Sequence, residues 1–238
     1  MPLKKPDNLT VKIFGIWMIL FLVFTLLISK TDAEKAASKM LIALAVFWVF
    51  LAGYLMHIKK GQIMEFVLKI KMNWKAKFVI FAIILALAEE AIATSITNLA
   101  PIFGAYAKEA HITASSNYID VVLFHSVIIF LPMFIVWAYL LSRYDFKPFH
   151  VFTLFGINGI LAEFMLNPNI LTVVAGGFWI FVYGLMTYLP AYCIPKDRNT
   201  KIPSKFIYLA AVITPLIIAF PLAIIIRLIH PISNHFLQ

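Results

Sequence analysis

Apolar residues run along this chain in seven blocks, at residues 11–29, 40–57, 78–100, 119–142, 149–166, 170–194 and 206–229. Each is close to the roughly 20 residues an α-helix needs to cross a hydrocarbon core. Short polar stretches separate the blocks and carry most of the charge. This pattern predicts an all-α, polytopic membrane bundle of seven transmembrane helices in a single transmembrane domain. The first block could pass for the core of a secretory signal. It is longer than such a core, and Lys30-Thr31-Asp32 follows it in place of a small-residue cleavage site. Residues 61–77 read two ways. Ile63, Phe66, Val67, Ile70 and Trp74 fall at helical spacing, which predicts a basic amphipathic helix lying on cytoplasmic headgroups. The stretch from Leu68 to Lys77 also alternates apolar and polar with the period of a strand, but no second strand is available to pair with it.

Composition agrees with the pattern. Sixty-three per cent of residues are hydrophobic and the mean hydropathy is +0.93, which excludes a soluble globular domain. The net charge of +9 could suggest nucleic acid until the charges are placed. Fifteen Lys and Arg fall on the side of the N-terminus and five on the other. By the positive-inside rule the N-terminus is then cytoplasmic and, with seven spans, the C-terminus is outside. The basic surplus is the signature of an anionic inner leaflet in a multi-pass cell-membrane protein, and no nucleic-acid partner is expected. The sequon at Asn8-Leu9-Thr10 would then be silent. One cysteine, Cys193, leaves no intramolecular disulfide and no Cys-based metal site.

Two adjacent carboxylates, Glu89 and Glu90, interrupt the third block. Each ionised carboxylate at mid-bilayer costs about 2.5–3.5 kcal/mol on insertion scales. The eleven Phe, Val, Ile and Leu residues from Phe78 to Leu99 return roughly 0.3–0.6 kcal/mol each, so the terms nearly cancel. Such a helix needs neighbours, a proton or an ion. Glu90, Thr94, Thr97 and Asn98 follow the i, i+4, i+7, i+8 spacing of one helical face, and Glu89 points about 100° away. An intramembrane carboxylate suits proton or cation handling, or general acid–base chemistry; it also serves as structural glue to a neighbouring helix.

Other polar groups converge on the same half of the bundle. His125 lies about two turns inside the fourth block and shares a seven-residue spacing with Pro132 and Tyr139, where the proline would kink the helix. In the fifth block Gly156, Gly159 and Glu163 form a smooth face ending in a carboxylate that could pair with Arg227. In the sixth, Gly176, Tyr183 and Thr187 share a face from which hydroxyls could reach the third-block carboxylates. The connection of residues 101–118 is the longest on the outer side and could act as a lid. Together these groups describe a pocket open to the outside and floored by Glu89 and Glu90. Glu90 would hold a cation, proton or small polar solute, with Thr94, Thr97, Asn98, Glu163 and Tyr183 as further ligands.

A second reading makes Glu89, Glu90 and His125 catalytic. The Ala88-Glu89-Glu90 element resembles the first motif of the CAAX-type intramembrane proteases, and His125 in the next block is similar to the second. The resemblance implies water activation by glutamate and histidine against a lipid or membrane peptide. The sequence departs from that family in Thr94, where its pattern has arginine, in Val121, where it has phenylalanine, and in lacking a late His or Asn motif in the sixth block. A third reading is an assembly subunit whose buried carboxylates bond a partner helix. No Gly-rich phosphate loop, His-Glu-x-x-His or Asp-rich element is present, so no cofactor or metal is named by motif.

Overall fold

Helix α1 (Asn8–Ile28) is a nearly continuous apolar run, and a sharp restart follows it. Thr31 accepts from the Glu34 amide while the Glu34 carboxylate takes the Thr31 amide, a capping box that opens α2 at Asp32. The computed structural model describes residues 8–106, 108–166 and 168–230; Lys4 and Lys5 of the N-terminal basic group lie outside them. Helix α2 (Asp32–Lys69) widens to π-helical bonding over Ala45–Ala52. The expected amphipathic segment is therefore not a separate element. Its part up to Lys69 continues α2, and residues 70–73 turn the chain into α3 (Trp74–Asn98), where Asn73 accepts from the Lys75 amide. The described residues contain no strand.

A short helix, α4 (Ala100–Phe103), ends at Gly104, whose φ of 102° only glycine adopts readily. After the connection come α5 (Tyr118–His125) and α6 (Val127–Arg143), bent by 47° at Ser126. The kink expected at Pro132 is thus not where the fourth block turns. Ser126 takes φ −136° and ψ −79°, and both its amide and its hydroxyl donate to Val121 O, at 3.0 and 3.2 Å. The bend also removes His125 from the face of Tyr139. Helices α7 (Pro148–Leu166), α8 (Ile170–Val174), α9 (Gly176–Tyr192) and α10 (Lys205–Ile229) complete the chain. Among the described residues, five helices are long and apolar enough to cross a membrane, or six with the bent α5–α6 pair as one. The sixth apolar block is divided at Ala175 into α8 and the 17-residue α9. Outward-facing residues of α1 and α10 are apolar and open (Leu27 is 79% exposed and Leu228 78%), as expected of helices facing lipid rather than water. The protein is a helical, multi-pass membrane protein.

Helix α9 is central, touching α1, α2, α3 and α7, and α7 packs on it most extensively. The glycines explain the approach. A Cβ at Gly156 would stand 2.7 Å from Ile180 Cα, and one at Gly184 would stand 2.7 Å from Phe152 O. Buried polar groups then fix register. The Trp48 indole donates to Val182 O at 2.9 Å, joining α2 to α9. Asn158, fully buried, accepts from the Trp137 indole at 3.2 Å and donates to Val212 O, tying α6, α7 and α10 together. At one end of the bundle, the basic end, Arg198 donates to Leu141 O and lies over Trp74 at 5.5 Å, and Lys201 bonds the backbone on either side of Tyr144. Lys60 sits over Tyr192 at that same end.

Candidate functional site

Glu89 and Glu90 stand two to three turns before the C-terminal end of α3, where flanking Ala86 and Ala93 are too small to fill the space beside them. A cavity of about 190 Å³ opens there, room for about six waters at the ~30 Å³ each takes in the liquid. Both carboxyls line it, although successive residues on a helix diverge by ~100°. Glu163 of α7, Tyr183 of α9 and His125 of α5 line it as well. Five of the residues expected at a site therefore meet in one space. Glu89 and Glu90 are buried, at 4% and 8% exposure, and Glu163 is half-buried. Glu89 interacts electrostatically with both other glutamates. Among the described residues no Lys or Arg lines the cavity.

Each wall is placed by a local feature. Gly159 leaves the space in which the Tyr183 ring lies, one turn before Glu163, and the Tyr183 hydroxyl donates to Glu163 Oε1. Tyr183 therefore answers Glu163 and not the α3 carboxylates, and Thr187 bonds back to Gly184 O at 3.2 Å. The expected Glu163–Arg227 ion pair does not form; exposed Arg227 borders a separate space of about 110 Å³ between α6, α7 and α10. Phe130, Trp179 and Tyr183 make an aromatic wall, with Tyr183 edge-on to Phe130 at 5.5 Å and stacked on Trp179 at 5.6 Å. The Trp179 indole N–H is buried without an acceptor among the described residues.

The bend at Ser126 sets that residue in the lining of the cavity with Glu90, while its hydroxyl stays bonded to Val121 O. Sequence reasoning missed Ser126; a polar residue directly after His125 in an apolar block was the available signal. Thr94, Thr97 and Asn98 follow Glu90 on its helical face, but of the four only Glu90 lines the cavity. Further along, the face meets the connection instead. Thr97 accepts from the Ile112 amide at 3.3 Å and from the Thr113 hydroxyl at 3.0 Å, and exposed Asn98 donates to Thr94 O and Ser116 O. Thr94 is buried, its hydroxyl unpartnered among the described residues. The result is a pinned plug: Ile112, Thr113 and Ala114 lie against the cavity. A separate depression of about 580 Å³ lies at the basic end beside Lys75, Arg143 and Arg198, far along the helices from the carboxylates.

Such a site can hold positive charge. Three carboxyls without a fixed basic partner, shielded from water, require protons or a cation for neutrality. No protein-family model, curated protein or solved structure matches this chain. The likeness of Ala88-Glu89-Glu90 to the CAAX-type proteases rests on those residues and His125 alone.

Proposed function

We propose that this protein binds a small cation in the acidic cavity and carries it into or across the membrane, exchanging it for protons. The observation that supports this most directly is the meeting of Glu89, Glu90 and Glu163 in one cavity that, among the described residues, no Lys or Arg lines. The aromatic lining of Phe130, Trp179 and Tyr183 favours a small organic ammonium over a bare metal ion, because aromatic π-systems attract a cation that keeps little water. Counting α9 as a crossing gives seven spans, and the basic end, rich in Lys and Arg, then faces the cytoplasm. The cavity opens toward the other face, where residues 112–114 gate it. The experiment is calorimetric titration of the purified protein in detergent with methylammonium, tetramethylammonium, Na⁺ and K⁺. Saturable binding of an ammonium, lost in Glu90→Gln, is expected; no binding of any of the four overturns the reading.

One observation favours a hydrolytic alternative. His125 lines the same cavity as Glu90, and its Nε2 faces Asp120 Oδ2 at 3.4 Å, an orienting carboxylate behind an imidazole. Glu90 would then activate water against a lipid or membrane peptide. Turnover abolished by both Glu90→Gln and His125→Ala, in a protein that binds no cation, distinguishes it.

A further inference from the structure

Beside the acidic cavity, toward the end of the bundle where the connection lies, two side chains of α5 meet a third from the end of α10. Asp120 sits at the start of α5, where Asn117 Oδ1 accepts the amides of Ile119 and Asp120 and so fixes the backbone. Its two carboxylate oxygens face two different imidazoles: Oδ1 is 2.7 Å from His230 Nε2, and Oδ2 is 3.4 Å from His125 Nε2. His230 comes from just beyond the last turn of α10, and Phe124 stacks on its ring at 4.5 Å and 28°, which holds the imidazole plane. All three residues are half-buried, and one ligand atom from each lies within 4.8 Å of the others.

We propose that Asp120, His125 and His230 form a binding site for a divalent first-row transition metal, with zinc as its natural occupant. Two imidazole nitrogens and one carboxylate oxygen are a donor set that prefers Zn²⁺, Co²⁺ or Ni²⁺ over Mg²⁺ and Ca²⁺, which take oxygen ligands. Metal–ligand bonds of about 2.0–2.1 Å put tetrahedral ligands ~3.4 Å apart, so the widest pair closes by at most about 1.4 Å. Torsions of the His230 side chain, 42% exposed at the helix end, supply most of that movement. Three protein ligands leave a fourth position for water. The ion would fasten the end of α10 to α5, and through His125 it borders the acidic cavity. The assignment does not depend on that cavity binding anything, since neither Glu90 nor Glu163 is a ligand.

The experiment adds Co²⁺, then Zn²⁺, to the purified full chain in detergent and records visible absorption and thermal unfolding. One Co²⁺ per chain is expected, with the intense bands of low-coordinate cobalt, displaced by Zn²⁺. Zn²⁺ should raise the unfolding temperature. Asp120→Asn, His125→Ala and His230→Ala should each weaken Co²⁺ binding at least about tenfold, while Glu90→Gln and Glu163→Gln leave it unchanged. His230→Ala lies at a helix end outside the packed core, so its folding is checked by unchanged gel-filtration and circular-dichroism profiles. Absence of cobalt bands in the wild-type chain overturns the site, as do bands that persist in a folded His230→Ala variant. Cobalt binding that disappears in Glu90→Gln but not in His230→Ala also overturns it, and would leave the cation reading of the cavity standing.

Discussion

Replacing Gly159 with alanine tests how the cavity wall is built. The added Cβ would fall inside the contact envelope of Tyr183 Cγ and Cδ2 and 2.7 Å from Cε2, against the ~3.5–4.0 Å of an ordinary carbon contact. The ring must recede by at least about an ångström, yet Phe130 and Trp179 pack on it and Tyr183 is only 8% exposed. Overpacking of this kind costs about 1–3 kcal/mol, and loss of the hydrogen bond to Glu163 adds ~1.5–3 kcal/mol if that carboxyl is ionised. Alanine's better helix propensity returns about 1 kcal/mol. The net expectation is a loss of roughly 1.5–5 kcal/mol, read by reversible unfolding of the purified protein in mixed detergent–SDS micelles. Repeating the substitution in a Tyr183→Ala background closes a double-mutant cycle and should recover most of the loss. Gly159→Ala with wild-type stability refutes the argument, and so does an equal cost in both backgrounds.

Three further outcomes follow from the packing. Asn158→Leu leaves the buried Trp137 indole N–H and Val212 carbonyl without their partner, and should destabilise by about 1–3 kcal/mol in the same unfolding assay; Trp137→Phe in that background should recover part of it. Thr97→Val removes the acceptor shared by Ile112 and Thr113. Limited proteolysis between residues 105 and 117 should then quicken several-fold, while global unfolding shifts by only ~1 kcal/mol. Arg198→Ala should loosen the 193–204 segment without altering ammonium binding, because Arg198 serves Leu141, Asp145 and Trp74 at the basic end. An effect on binding would place the site at the wrong end of the bundle.

The helices were legible because a membrane span is written as a long apolar run, and the observed bounds fall within a few residues of the predicted ones for α1, α3, α7 and α10. Residues 61–77 misled because their amphipathic spacing is that of any half-exposed helix, whether separate or the end of a longer one. The bend was assigned to Pro132, the residue with a known mechanism for it; Ser126 bends the chain through two bonds to one carbonyl, which no local pattern announces. Glu89, Glu90 and His125 stood out because charge or a titratable ring inside an apolar block is costly. Their partners did not stand out. Spacing placed Glu163 and Tyr183 on inward faces, but only the α7–α9 contact at Gly159 joins them to each other. Thr94, Thr97 and Asn98 show the limit of face arguments: the stripe is real, but what packs against it is the connection. Asp120 and His230 lie at span ends, where polar residues are ordinary, and only the tertiary fold brings them together.

The most direct measurement is proton release on cation binding, obtained by titrating methylammonium into the protein in two buffers of different ionisation enthalpy. Cation and protons compete for the same three carboxyls, so protons should leave as ammonium enters, and affinity should weaken as pH falls. Glu90→Gln should reduce the release together with the affinity. Binding with no proton release and no dependence on pH or Glu90 would contradict the account.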